Sequence, residues 1–286
     1  MDTTVFPREV ALFGVVRNGG RRLVRSLNQL RRATSTFRNV HALIIESDSS
    51  DNTLETLSQQ AKSWHALHYA SAGRLAERMP LRTERIAHCR NIYLDELRVN
   101  PRYAAVSHVI VADLDRVCHD ITAAALASCW GPRMVSGWSA CMANQGDWYY
   151  DLWALRHSHW CPGDVWTDYR ALLPLIGRFE ALNVTQMARM IHIAPSRDWI
   201  EVDSAFGGLA IYRREALMTG RYEGRDGRGL EVCEHLSLHA TMRASGHRLF
   251  INPAMINANK TSHGSRKGFW RVHRRRLLQW VKERFR

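Results

Sequence analysis

Apolar runs alternating with stretches of helical spacing organise the first 115 residues. Glu9 to Val16 (EVALFGVV) is an almost unbroken apolar run that ends at Arg17-Asn18-Gly19-Gly20, after which Leu23, Leu27 and Leu30 recur at helical intervals. His41 to Ile45 predicts a second strand, followed by Glu46-Ser47-Asp48-Ser49-Ser50-Asp51 and a helix from about Asn52 to Ala61. A short strand near Ala66 to Tyr69 precedes a helix from about Arg82 to Leu97, and Val106 to Ala112 is a fourth strand that stops at Asp113-Leu114-Asp115. Runs of this kind, without strict alternation, mark strands buried on both faces of a parallel sheet. The expectation is a doubly wound α/β fold.

Ligands of such sheets bind beyond the carboxyl ends of the strands. Two of the three informative strand ends carry carboxylates. The glycines after the first strand do not make GxGxxG and no GxxxxGK[ST] exists, so a nicotinamide dehydrogenase and a P-loop enzyme are set aside. In Asp113-Leu114-Asp115, alternation along an extended segment points both acids toward one place. Like charges there need a cation between them or arginines around them. Mg²⁺ suits the first option, since it takes one or two protein carboxylates and completes its shell with phosphate oxygens and water. A surface loop of two solvated acids is the bland alternative.

Charge changes the picture in one respect. The chain carries 40 Lys and Arg against 27 Asp and Glu, a net +13, and only four of the bases are lysines. Residues 266–286 alone contribute +8, nine bases against Glu283, so the basicity belongs mainly to a tail. There Trp270, Leu277, Val281 and Phe285 fall on one helical stripe among arginines, a pattern that predicts a basic helix over about 268–286 lying on an anionic membrane. A helix packed on its own domain and a nucleic-acid patch are the competing readings, with nucleic acid the weakest. No run of 18 apolar residues exists, and Met1 to Arg8 has no apolar signal core, so a cytoplasmic protein, peripheral at most, is expected. The six cysteines make no CxxC pair and are expected to be buried thiols.

Further along, Trp138, Trp148, Trp153, Trp160 and Trp166 crowd residues 137–193 together with Tyr149, Tyr150, Asp147, Asp151 and Asp164. Rings cover apolar sugar faces and acids accept hydroxyl hydrogen bonds, although clustered aromatics also build cores. Asp151 or Trp153 is expected near a donor sugar. Trp199 is a candidate stacking platform or a core residue, and Asp203 a candidate acceptor contact. Glu231 to His239 predicts a helix closed by Gly246, with Glu234 at its start, where the macrodipole favours the ionised form that a general base needs. His235 and His239 at i, i+4 lack the HExxH glutamate, which weighs against zinc.

Several of these segments together resemble family-2-type, GT-A-fold nucleotide-sugar glycosyltransferases. The loop Glu46 to Thr53 resembles their VDDGSTDNT loop, with Glu46 in place of the usual Asp and Asp48 in place of Gly. Arg85-Ile86-Ala87-His88-Cys89-Arg90-Asn91 resembles their ARN helix start, Phe206 to Arg213 their glycine loop, Cys233-Glu234-His235 the start of their acidic xED helix with His235 replacing the final acid, and Thr261-Ser262-His263-Gly264 their metal-binding histidine. Arg17-Asn18, Tyr150 to Arg156 and the CEH triplet are also similar to the fungal capsule-associated alpha-1,3-mannosyltransferase family.

The resemblance implies a single GT-A catalytic domain over 1–264. Residues 9–115 would form the nucleotide half and 137–264 the sugar and acceptor half, with a Trp-rich insert and a C-terminal helix over 265–286. It implies a metal-dependent transfer of a hexose, mannose first, from GDP-mannose or a UDP-sugar to a glycan or lipid-linked acceptor. Asp113, Asp115 and His263 would hold Mn²⁺ or Mg²⁺. Asn18, Glu46, Asp48, Arg85, Arg90, Asp151, Gly207 and Gly208 would bind the donor, with the two glycines admitting backbone close to the sugar or merely forming a bulge. Either arginine could instead form a surface pair with Glu84 or Asp95. Glu234 would be the general base of an inverting reaction or a positioning group of a retaining one. The competing functions are a sugar nucleotidyltransferase, for which Arg17-Asn18-Gly19-Gly20 is a poor signature, and a non-enzymatic basic adaptor for membrane or nucleic acid.

Overall fold

A computed structural model describes residues 6–114 and 117–261. Asp115, His263 and the predicted basic helix over 265–286 therefore lie outside the described residues. The elements in chain order are β1 (Glu9–Val16), α1 (Gly20–Ala33), β2 (Asn39–Glu46), α2 (Thr53–Ser63), β3 (Leu67–Ser71), α3 (Arg82–Val99), β4 (His108–Asp113), α4 (Ala123–Ala127), β5 (Trp138–Gln145), α5 (Val165–Thr185), β6 (Ile200–Val202), β7 (Leu209–Arg213), α6 (Arg214–Leu217), α7 (His235–Ala244) and β8 (Arg248–Ala258).

All eight strands join one sheet in the order β3-β2-β1-β4-β7-β5-β8-β6. β1 pairs in parallel with β2 and β4, and β2 with β3. β7 enters antiparallel between β4 and β5, β8 lies parallel to β5, and β6 closes the edge antiparallel to β8. Only β7 and β6 run against the rest, so the sheet is mostly parallel.

Alternate side chains of the central strands feed two cores, one on each face. Phe13, Val109 and Val111 meet Tyr93, Leu94 and Leu97 of α3 and Leu238 of α7. Leu12, Ile44 and Ile110 meet Leu23, Leu27 and Leu30 of α1, Leu57 of α2 and Leu126 of α4. Helices thus cover both faces, as the unbroken apolar strands require. The six cysteines are all buried thiols, and among the described residues no helix is long and apolar enough to cross a membrane.

One expectation is corrected. Residues 138–145 are not part of an insert but an interior strand, β5, with every residue buried. Its polar side chains find distant partners: Asn144 donates to the Ile193 and Pro253 carbonyls, and Gln145 to the Gly207 carbonyl. The Arg85 to Asn91 segment lies inside α3, in keeping with the helix predicted from about Arg82.

Buried imidazoles give the fold an acid limit. His239 is held between Ser204 Oγ at 2.8 Å and Tyr212 Oη at 3.0 Å, and burial pushes its pKa down to about 3. Burial and then the Arg213 charge push His108 down to about 4. Both are neutral when folded and protonate near 6.5 when unfolded, so their contribution is whole above pH 6.5 and is lost as pH falls toward these values. Asp151, raised to about 6, opposes this over part of the range, because its contribution is present at low pH and is lost as pH rises through about 6. His235, which burial and the Arg90 charge hold well below the usual imidazole range, acts in the same direction, so three histidines outweigh one acid and stability should fall by roughly 2 kcal/mol per pH unit between about 6 and 4. Urea midpoints measured across that range check this, and a flat profile would contradict it.

Candidate functional site

The carboxyl ends of β1, β2 and β4 open into a cleft of about 620 Å³. Its floor comes from Arg17-Asn18-Gly19 after β1, Ser47-Asp48 after β2 and Asp113-Leu114 at the end of β4; α3, Tyr150 to Trp153 and the start of α7 supply the walls.

The loops after β1 and β2 are tied together. Asn18 has φ +50 and Asp48 φ +56, left-handed conformations that Asn and Asp tolerate better than most residues. That explains an aspartate where the resembling loop has glycine. Asn18 Oδ1 accepts the Ser50 N–H at 2.8 Å, while the Asn18 N–H donates to Ser49 Oγ at 3.0 Å. Asp48 Oδ1 accepts from the Ala76 N–H at 2.8 Å, and its other oxygen lies 3.6 Å from Arg85 Nε. Arg85 also donates to the Met79 and Pro80 carbonyls, so it braces the wall of the cleft while lining it.

Arg90 is the centre of the site. It is 2% exposed, and it donates from Nη2 to Asp113 Oδ1 at 2.8 Å and from Nε to Glu234 Oε1 at 3.0 Å. Its guanidinium lies between the rings of Phe206 and Tyr222, 5.1 and 5.6 Å from their centroids. Arg85 and Arg90 therefore form neither of the surface pairs considered from sequence; Glu84 binds Arg225, and Asp95 binds Arg98 and Arg221. Arg90 thus bridges the carboxylate at the end of β4 to the carboxylate at the start of α7.

Glu234 is buried at the N-cap of α7, with Cys233 Sγ 3.9 Å from its second oxygen. The His235 ring stacks on Phe206 at 4.0 Å, lines the cleft, and has no hydrogen-bond partner on either nitrogen. Burial, then the charge of Arg90, holds His235 well below the usual imidazole range, so the ring is neutral. Asp151 lines the cleft as well, accepting the Gly207 N–H at 2.9 Å, and burial pushes its pKa up to about 6 against the lowering effect of that bond.

Other expected site residues lie elsewhere. Glu46 is buried and does not line the cleft; it accepts the Ser49 N–H at 2.9 Å and the Ser71 hydroxyl at 2.5 Å, and so shapes the loop. A Cβ on Gly207 would stand 2.6 Å from the Ala143 carbonyl and one on Gly208 2.4 Å from Val117, so both glycines, at φ +67 and +84, serve close packing of the chain itself. Trp199 is a core residue packed on Trp138 and Phe250, away from the cleft. Asp203 is half-buried and paired with Arg243 at 2.6 Å. Of the three metal ligands, only Asp113 is described, and among the described residues no three His, Cys, Asp or Glu side chains cluster as a metal site.

Arg22 and Arg82 line the cleft and were not singled out from the sequence. Both sit in the first turn of a helix, α1 and α3. A cation there opposes the macrodipole, and that local cost was the available signal.

No family model matches the chain, and no curated protein does. Over 92% of its length it is similar in structure to the mannosyltransferase PcManGT from Pyrobaculum calidifontis in complex with GDP-Man and Mn2+, at 17% identity and a TM-score of 0.50. The fold is of the GT-A type. The chain spans 60% of that mannosyltransferase. Weaker likenesses are to S. aureus TarS 1-349 (12% identity, TM-score 0.48, 92% of this chain and 63% of that one) and to glucosyl-3-phosphoglycerate synthase from Mycobacterium tuberculosis in complex with UDP (13%, 0.45, 90% and 73%).

Proposed function

We propose that the chain is a glycosyltransferase that moves a hexose from a nucleotide diphosphate sugar to a hydroxyl acceptor. The observation that carries this reading is the Asp113–Arg90–Glu234 bridge at the carboxyl end of β4, in a cleft that also presents Arg17, Arg22, Arg82 and Arg85. Arginine forks suit phosphate oxygens, and a carboxylate beside them suits sugar hydroxyls. GDP-mannose is the first donor, in line with the likeness to the fungal capsule-associated alpha-1,3-mannosyltransferase family, with a UDP-sugar as the alternative. The acceptor is a glycan or a lipid-linked sugar.

Asp113, with Asp115 and His263, would hold a Mn²⁺ or Mg²⁺. The fit rests on Asp113: a carboxylate offers about four acceptor positions, so the bond from Arg90 does not exhaust it. When bound, such an ion supplies charge stabilisation to the departing diphosphate. The protein's own groups divide the remaining work. The cleft arginines neutralise the diphosphate, and Asp151 accepts hydrogen bonds from donor sugar hydroxyls. Glu234 accepts the proton of the acceptor hydroxyl in an inverting transfer, or positions the sugar in a retaining one. Arg90 holds Glu234 in place through its Nε bond.

Asp115→Ala should abolish the Mn²⁺-dependent part of GDP or UDP affinity, read by thermal shift against metal concentration. Affinity retained at saturating Mn²⁺ would remove Asp115 from the metal site.

A further inference from the structure

The two ends of α5 meet at the cleft. Gly177, at φ +76, breaks the helix between them, and an ion pair of 2.8 Å joins Asp168 in the first turn to Arg189 beyond the end. Val165 and Trp166 from the start, and Gln186, Met187 and Met190 from beyond the end, therefore line the cleft together, with Trp153 beside them. A second ion pair fixes the two tryptophans. Arg156 donates to the Trp153 carbonyl at 3.1 Å and to Asp164 Oδ2 at 3.0 Å, and Asp164 Oδ1 accepts the Trp166 N–H at 3.0 Å. Trp166 is 36% exposed, so a large aromatic side chain is held at the cleft rather than buried in the core.

The chemistry of this lobe differs from that of the rest of the cleft. Arg17, Arg22, Arg82 and Arg85 line the part built on the ends of β1 and β2 and the start of α3, whereas every residue between 152 and 190 that lines the cleft is uncharged. Arg156 and Arg189, close by, are paired with Asp164 and Asp168. A diphosphate suits the arginines and finds no counter-charge in the lobe. What the lobe offers is two indole rings, two thioethers, and two buried N–H groups without an acceptor, Trp153 Nε1 and Gln186 Nε2. Leaving such donors unbonded costs stability, and a ligand oxygen drawn in beside them relieves that cost. Apolar walls with a few unmatched polar groups are the usual make-up of a small-molecule site. A sugar ring, with apolar faces and hydroxyls around its edge, matches both features.

We propose that this lobe is the acceptor subsite and takes an uncharged sugar ring, laid against Trp153 and Trp166 with hydroxyl oxygens accepting from Trp153 Nε1 and Gln186 Nε2. It supplies the contacts expected of Trp199 and Asp203, neither of which lines the cleft. Its use for an acceptor rests on the transferase reading; the binding of an uncharged sugar does not.

The test titrates the full chain, with Mn²⁺ and saturating GDP or UDP, against uncharged disaccharides of mannose, glucose and galactose, followed by tryptophan fluorescence. At least one should bind, and should accept sugar when the matching nucleotide sugar replaces the nucleotide. Trp166→Ala should weaken that binding and raise the acceptor KM about tenfold or more, with GDP and UDP affinity close to the parent's. Its melting temperature should hold, because the ring is already exposed. Trp166→Phe should recover most of the loss, and Gln186→Leu should weaken binding several-fold. Failure of every uncharged disaccharide to bind, turnover of sugar phosphates alone, or a Trp166→Ala variant that binds like the parent overturns the proposal. So does a Trp166→Ala variant that loses nucleotide-sugar affinity instead, which would assign the lobe to the donor. Trp166-dependent disaccharide binding by a chain that releases no nucleotide from any nucleotide sugar would leave the sugar-binding lobe standing and remove the transferase reading.

Discussion

Arg90→Met is expected to destabilise the protein by about 3–5 kcal/mol, the usual consequence of removing one partner from a buried charge network. The substitution keeps the bulk and the apolar contact with Phe206 and Tyr222 but leaves Glu234, whose side chain is 8% exposed, facing Asp113 without a cation. Two carboxylates cannot share that space ionised without cost. For a chain of this size the melting temperature should fall by roughly 6–20 °C. Adding Glu234→Gln to the Arg90→Met variant should restore a large part of the loss, because it removes the stranded charge. A single variant as stable as the parent, or a double variant no better than the single one, would show that the bridge does not hold the acids together.

The second large effect belongs to the chemistry. Glu234→Gln preserves the size of the side chain and an oxygen for Arg90 Nε, and Asp113 still balances the guanidinium. Folding should be little affected. Loss of the proton acceptor should lower the transfer rate by about 10²–10⁴-fold, with donor affinity within a few-fold of the parent, as rapid-quench single turnovers would measure. A rate close to the parent's would take the base role from Glu234 and direct attention to His235, whose neutral ring lines the same cleft.

Legibility in the sequence followed locality. β1 was readable to its ends because an interior parallel strand is an unbroken apolar run, and Leu23, Leu27 and Leu30 announced the buried face of α1. β5 was not readable. Its Ser139, Asn144 and Gln145 look like loop residues, and only partners far along the chain satisfy them. Trp199 and Asp203 precede the glycine loop in sequence, but β6, lying between them, is at the opposite edge of the sheet from β3, and neither residue lines the cleft. Asn18, Asp48 and Asp113 gather at one cleft, as strand-end reasoning anticipates, and Arg85, Arg90 and Glu234, expected there from the resemblance, and Asp151, expected from the aromatic-rich segment, line it too. What the sequence concealed was their pairing. Arg90 and Glu234 are 144 residues apart, and no local pattern announces that a helix-interior arginine will neutralise two acids at once.

Transferase activity is read most directly as release of nucleotide from a panel of nucleotide sugars, GDP-mannose and UDP-hexoses first, with Mn²⁺ and with a metal chelator. One donor should be turned over to its nucleoside diphosphate, chelation should suppress the reaction, and Glu234→Gln should slow it, as a glycosyltransferase requires. Pyrophosphate release from a sugar phosphate and a nucleoside triphosphate, or no turnover and no binding of any nucleotide sugar, would contradict the transferase assignment.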